Sequence, residues 1–126
     1  MANLFKEEQP DQILLPFLEN DNCIGNGGLV HINWTDRNAE ISFIVNTSLE
    51  IKNFEVYWTN FLVLLEEVAW TELNLHKIYT YAFDIRPQLY LALEKNDFFK
   101  DATLKDHCCF NGEFIDVIIH SKLYTE

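Results

Sequence analysis

The hydrophobic period of this chain changes near Phe54, and that change constrains the possible folds more than any other feature. Before it, short apolar runs alternate with turn-forming residues, a pattern typical of antiparallel strands joined by short loops. From Phe54 to Leu73, apolar side chains recur at three- and four-residue steps, which predicts an amphipathic helix. The chain is therefore expected to be an α/β protein.

The predicted elements follow the order β-β-β-α-β-α-β-β. The segments with clear patterns are the strands Gln12–Glu19, Leu29–Trp34, Ala39–Val45, His76–Ile85 and Phe114–Leu123, and the helices Phe54–Leu73 and Pro87–Asn96. The dipeptide Asn111-Gly112 predicts a two-residue hairpin turn just before the last strand. The glycines that precede Leu29 permit a bulge or a close approach between backbones.

Length and charge narrow the functional classes. A chain of 126 residues fits one domain, expected to span residues 1–126 with a loose segment at 1–10. The formal charge of −11 argues against nucleic acid and against an anionic membrane surface, because both are bound through clustered Lys and Arg. No apolar run approaches the roughly 20 residues that span a bilayer, so a cytoplasmic protein is expected.

The three cysteines are an odd set, and two of them are adjacent. Cys108 and Cys109 would point to opposite faces of a strand, which makes a bond between them unfavourable. Reduced thiols explain the set, with Cys23 as the third. His107 lies beside the adjacent pair, but no second ligand pair follows at metal-binding spacing, so no metal site is predicted.

Four segments, which follow one another in the order found in that family, resemble the GNAT N-acetyltransferases, most closely the RimJ/RimL-type branch. The segments that carry the resemblance are Gly28–Trp34 with Asn38–Phe43, Glu72–Ile78 (ELNLHKI), Pro87–Phe98 and Asn111–Val117 (NGEFIDV). The resemblance implies an antiparallel meander followed by β-α-β-α-β-β, with a splayed central sheet. It also implies acetyl-CoA as the acyl donor and a primary amine, of an amino sugar or a protein N-terminus, as the acceptor.

The resemblance implies where the donor binds. Its pantetheine arm would lie between the strands Ala39–Val45 and Lys77–Phe83, beside Phe43, Ile44 and Val45. The glycine-rich pyrophosphate loop of the family matches a stretch without glycine here, which contains Asn53, Phe54, Glu55, Val56, Tyr57 and Trp58. Loss of these glycines predicts an acetyl-CoA affinity no better than about millimolar, unless Arg86 or Lys52 substitutes.

Some of these donor-site residues have a structural alternative. Tyr57 and Trp58, with Phe61 and Trp70, could stack on a cofactor, but aromatic residues at helical spacing are also typical of a core. Arg86 could grip a phosphate or carboxylate, or could lie in solvent at a helix start.

Candidate catalytic residues also follow from the resemblance. Glu40 would face the acceptor and act as a base, or would pair with Arg37 across a turn. His31, on the neighbouring strand, could transfer protons or could be a polar residue of the outer sheet face. The tyrosine that protonates the leaving thiolate in the family is Leu93 here, and Tyr90 lies one helical turn earlier.

Two functions therefore remain open from the sequence. The first is a GNAT-type N-acetyltransferase. The second is a catalytically inactive GNAT-fold module for binding or dimerisation, or a piece of a larger biosynthetic protein. A homodimer or a larger protein partner is compatible with both.

Overall fold

A computed structural model describes residues 9–45, 47–83 and 87–125. The elements are β1 (Ile13–Glu19), β2 (Asn22–Asn33), β3 (Asn38–Val45), α1 (Thr47–Glu67) with a π-helical turn at Val68–Glu72, β4 (Lys77–Phe83), α2 (Pro87–Lys95), β5 (Phe99–Phe110) and β6 (Glu113–Leu123). This order confirms the predicted β-β-β-α-β-α-β-β sequence and the mixed α/β fold. In the described part of the chain, neither helix could cross a bilayer.

Six strands form one sheet in the order β1-β2-β3-β4-β6-β5. Every neighbouring pair is antiparallel except β3 and β4, which are parallel and joined through α1. The parallel pair is also the shortest, because its register covers Asn38–Glu40 against Lys77–Tyr79 and stops there. The two strands then diverge, which confirms the predicted splay.

Both helices pack their apolar sides against the same core. Alternation along β3 directs Ala39, Ile41 and Phe43 into that core, where Ile78 of β4 joins them. The helices contribute the buried residues Tyr57, Trp58, Phe61, Leu62, Leu65, Leu89, Ala92 and Leu93. The phenyl rings of Phe43 and Phe61 stack with centroids 4.0 Å apart, so α1 is fixed against β3 beside the splay.

Helix α1 begins at Thr47, seven residues before the predicted start at Phe54. The prediction was wrong because it used the apolar stripe, which begins later than the backbone helix. A start signal was present: Thr47-Ser48-Leu49-Glu50 fits the S/T-x-x-E capping pattern of helix N-termini. This earlier start changes the interpretation of the predicted phosphate loop.

Strand β2 begins at Asn22, not at Leu29, so the glycine run lies inside a strand. A Cβ placed on Gly28 would lie 1.8 Å from the carbonyl oxygen of Ile13, which shows why no side chain is accommodated there. The predicted close approach is therefore found between β1 and β2. At the other end of the chain, Asn111 and Gly112 have φ of 51° and 80°, as the predicted two-residue turn requires.

Candidate active site

The divergence of β3 and β4 opens a cleft of about 420 Å³ that reaches both faces of the sheet. The residues that line it are Val30, Glu40, Ile41, Ser42, Phe43, Trp58, Thr80, Tyr81, Ala82 and Leu89. Successive side chains of a strand point to opposite faces of the sheet, so the cleft is lined by residues from both faces. Glu40, Ser42 and Tyr81 belong to the outer face of the sheet, whereas Thr80 and Ala82 belong to the face covered by the helices.

Glu40 lies at the closed end of the cleft and is the last residue of β3 that pairs with β4. Its Oε1 lies 3.9 Å from Nε2 of His31, and the carboxylate side chain is 23% exposed. Partial burial raises the pKa of Glu40 above its ordinary value, and His31 opposes that rise. The structure therefore brings two predicted catalytic residues together, and the ion-pair partner of Glu40 is His31, not Arg37.

His31 occupies an irregular position in β2. The register with β3 shifts between Val30 and Asn33, and His31 itself has a φ of 50°, in the left-handed region that few non-glycine residues adopt. The local kink turns its ring toward Glu40 while leaving the imidazole well exposed. Sequence reasoning identified the residue, but the bulge that aims it was not visible in the pattern.

Two tyrosines of β4 lie on the same side as Glu40. Burial and the Glu40 carboxylate raise the pKa of Tyr79, which is the register partner of Glu40. The pKa of Tyr81 is also raised, by partial desolvation, by Cys108 and by Glu40. The Tyr81 hydroxyl lies 4.0 Å from Sγ of Cys108. Both phenols therefore stay protonated at neutral pH and can donate hydrogen bonds near the cleft.

The third predicted catalytic residue, Tyr90, lies elsewhere. From α2, its ring stacks on the imidazole of His120 of β6, with the ring centroids 5.1 Å apart. Among the described residues, helix α2 contributes Leu89 to the cleft instead. Leu93, the position of the family's tyrosine, is fully buried in the core.

The predicted donor-binding residues divide into three groups. Phe43 and Trp58 line the cleft, while Tyr57 is a core residue beside them. Ile44 and Val45 continue β3, where they pair with Asn26 and Gly25 of β2. Their side chains, those of Asn53 and Phe54, and the whole of Arg86 lie outside the described part of the structure.

The stretch predicted as a phosphate loop lies inside α1 and is not a loop. Interior helical N–H groups bond to carbonyls four residues earlier, so those of residues 53–59 cannot converge on a phosphate. The exposed side chains there have other roles: Glu55 pairs with Lys95 at 2.9 Å, and Val56 faces solvent. The absence of glycine in this stretch is therefore no argument for weak acetyl-CoA binding.

The geometry fits the pantetheine arm of acetyl-CoA. Beyond Glu40, the β3 edge facing β4 has no strand paired with it in the described structure, so its backbone groups are available to an extended ligand. Helix α1 begins two residues after β3 ends, and the first N–H groups of a helix are unsatisfied and attract anions. A pyrophosphate would meet the helix here, before the predicted stretch.

Residues 2–119 match the acetyltransferase (GNAT) domain family. The chain belongs to that family. No curated protein sequence matches it. Among solved structures, mutant forms of the spermidine/spermine N-acetyltransferase SpeG from Vibrio cholerae superpose with a TM-score of 0.83 at 24% identity, over 97% of this chain and 72% of that chain. A dodecameric structure of spermidine N-acetyltransferase from the same organism gives 0.82 at 24%, over 97% and 70%.

Three polar residues of the cleft lining were missed by sequence reasoning. Ser42 and Tyr81 could have been found from strand alternation, because they share a face with Glu40 across the splay. Thr80 carried a weaker signal, as a polar residue on the otherwise apolar inner side of β4. Cys23 of β2 and the adjacent Cys108 and Cys109 of β5 are free thiols, consistent with the prediction of reduced cysteines.

Proposed function

We propose that this GNAT domain transfers an acetyl group from acetyl-CoA to a primary amine. The observation that carries the proposal is the splay between β3 and β4, with the half-buried carboxylate of Glu40 at its closed end. Acetyl-CoA supplies a thioester, whose carbonyl carbon the amine attacks. The chain supplies a strand edge that can hold an extended arm and a base beside it.

Glu40 is the proposed base, because burial raises its pKa above the ordinary value and makes the carboxylate a stronger proton acceptor. His31 holds the carboxylate from the exposed side and connects it to solvent. Protonated Tyr79 and Tyr81 offer hydroxyls and ring faces to an amine approaching Glu40. The chain's charge of −11 also favours the approach of cationic amines.

The acceptor is proposed as an amino sugar or a protein N-terminus, in line with the resemblance of the sequence to the RimJ/RimL-type branch. A polyamine is a further candidate, since the SpeG structures are of spermidine and spermine N-acetyltransferases. All three classes present a primary amine to the same carboxylate. Initial rates with glucosamine, an N-terminal peptide and spermidine, followed by thiol release from acetyl-CoA, would rank them.

One observation favours a catalytically inactive binding module instead. Leu93 replaces the family's proton-donating tyrosine, and Tyr90 packs on His120 outside the cleft. The two functions separate in a paired experiment. Calorimetric titration with acetyl-CoA measures donor binding, and the amine panel measures turnover. Binding with turnover supports the enzyme, binding without turnover supports the module, and no binding contradicts the acetyl-CoA site itself.

We also propose self-association, as in the dodecameric spermidine N-acetyltransferase, and a cytoplasmic location. Light scattering coupled to size-exclusion chromatography tests the first of these, with a monomer mass as the contradicting result. Fractionation of cells that produce the protein tests the second.

A further inference from the structure

Thr80 of β4 and His120 of β6 form a buried polar pair behind the cleft. They are register partners, so their Cβ atoms lie about 5 Å apart on one face of the sheet. Their exposed fractions are 3% and 1%, and they are the buried polar side chains of the described structure. Within that part of the chain, neither Thr80 Oγ1 nor His120 Nδ1 has a hydrogen-bond partner. A buried polar group without a hydrogen-bond partner is destabilising and uncommon in folded proteins, so two such groups side by side call for a functional explanation.

The pair connects the cleft to solvent. Thr80 lines the cleft on its helix-covered side. His120 Nε2 lies 3.7 Å from Oε2 of Glu94 on α2, and the Glu94 side chain is about half exposed. The ring of Tyr90 stacks on the imidazole and fixes its plane. Thr80, His120 and Glu94 therefore form a continuous row from the cleft through the core to bulk water.

Each of the three side chains has a defined role as hydrogen-bond donor or acceptor. A carboxylate only accepts hydrogen bonds, so the Glu94 oxygen 3.7 Å from Nε2 favours the tautomer with its proton on Nε2, in which Nδ1 keeps a lone pair. The Thr80 hydroxyl can donate and accept. Rotation about χ1 exchanges the positions of its methyl and hydroxyl groups, and the proposed relay requires Oγ1 to reach both the cleft and His120 by that rotation. One water molecule between two such polar atoms would complete the connection.

We propose that Thr80, His120 and Glu94 form a proton relay for acyl transfer, an inference that rests on the proposed function. Glu40 takes the first proton, from the ammonium group, so that a neutral amine attacks the thioester. As the C–N bond forms, the same nitrogen loses a second proton, which passes through Thr80 Oγ1 to His120 Nδ1, and Glu94 stabilises the imidazolium. As the C–S bond breaks, the proton returns by the same route to the departing thiolate sulfur. In the family a tyrosine supplies the proton to the thiolate. Leu93 occupies that position in this chain and has no proton to donate, so the relay supplies it instead.

The charged groups around His120 shift its pKa in known directions, which allows a test of the relay. Burial lowers the pKa of His120, Glu94 opposes that effect, and Lys100, its register partner on β5, lowers the pKa further. Lys122, two residues along β6, is paired with Glu66 at 2.7 Å. A relay that accepts a proton needs neutral imidazole, so its activity falls as pH drops through the His120 pKa. Glu94→Gln should move that limb to lower pH and Lys100→Gln to higher pH.

The first experiment separates catalysis from stability. Thr80→Val keeps the shape and removes the unpaired hydroxyl, so we expect kcat to fall about 10²-fold while the unfolding midpoint stays equal or rises. Thr80→Ser should restore most of kcat. Thr103→Val, at an exposed site on β5, is the matched control and should change neither quantity. A Thr80→Val enzyme with wild-type kcat would overturn the relay.

The second experiment has a readout that does not depend on turnover. Nuclear magnetic resonance of the imidazole nitrogens in the free protein reports the tautomer and the pKa of His120 directly. We expect a proton on Nε2, and the opposite shifts for Glu94→Gln and Lys100→Gln in both the titration and the kcat–pH profile. A proton on Nδ1, or a profile that neither substitution moves, rejects the relay alone. Failure to bind acetyl-CoA rejects the proposed function and the relay with it.

Discussion

Glu40 and Tyr79 form the last register pair between β3 and β4 before the two strands diverge. This pair places a carboxylate at the point where the sheet opens, and burial there raises the pKa of both side chains. Every proposal on the active site depends on that geometry, because a fully paired β3–β4 ladder would leave no cleft.

Replacement of Glu40 by Gln should lower kcat/KM for the amine by about 10²-fold, since it removes the proposed base. Activity of the unaltered protein should fall as pH drops through the raised pKa of Glu40. His31→Gln removes the group that opposes the rise, so the acid limb should move to higher pH. Initial rates across pH measure both effects. Glu113→Gln, at an exposed hairpin position, is the control, and equal losses in the two glutamate variants would contradict the assignment.

Filling the cleft should block the donor without unfolding the protein. Ser42 lines the cleft from β3 and is partly exposed, so Ser42→Phe can place a ring in the splay. We expect acetyl-CoA binding to weaken by more than about tenfold in calorimetry, equivalent to about 1.4 kcal/mol. Thr103→Phe on β5 makes the same kind of change away from the cleft. Unchanged affinity in Ser42→Phe would place the donor elsewhere.

Gly28 should be the glycine least tolerant of substitution. Its Cβ would overlap the Ile13 carbonyl of β1, and backbone atoms cannot move aside without breaking the β1–β2 ladder. Gly28→Ala should therefore destabilise the fold by about 3 kcal/mol, measured by urea unfolding. The control is Gly112→Asn, where the left-handed backbone and open space suit asparagine. Similar stabilities for the two variants would show that β1 is not fixed as described.

The ion pair between Lys77 and Asp101 should give a modest pH-dependent stabilisation. Their side chains meet at 2.6 Å, and hydrogen bonding and charge from Lys77, with Ser121, lower the pKa of Asp101. A lowered acid pKa stabilises the fold above the unfolded pKa, and the gain is lost as pH falls through the folded pKa. Asp101→Asn should cost about 0.2–1 kcal/mol at pH 7 and nothing at low pH. Asp21→Asn, in an exposed turn, is the control, and a difference from wild type that persists at low pH would contradict this account.

Much of the fold could be predicted because the turn residues and hydrophobic patterns of short segments specify the same elements that the structure contains. The Asn111-Gly112 turn, the helix from Pro87 and the strand Ala39–Val45 were each predicted from short segments. The start of α1 was wrong because the apolar stripe and the backbone helix begin at different residues. The same error led to the wrong phosphate loop. Because the helix begins seven residues earlier than predicted, the residues predicted as a loop belong to the interior of α1.

The candidate site could be predicted only in part. Glu40 and His31 were identified, but their partnership depends on a bulge in β2 that brings His31 toward β3. Tyr90 was expected near the cleft by helical spacing alone, and helix rotation instead placed Leu89 there. His120 had no motif at all, because its surroundings come from β4, β5 and α2.

The sequence by itself determined the type and order of the elements, because periodicity and turn residues act over a few neighbouring positions. The tertiary structure decided where β3 and β4 part, which side chains meet there, and that Thr80 and His120 share a buried space. The register pairs Glu40–Tyr79 and Thr80–His120 join residues that are 39 and 40 positions apart in the sequence. The local pattern of either segment therefore could not contain them.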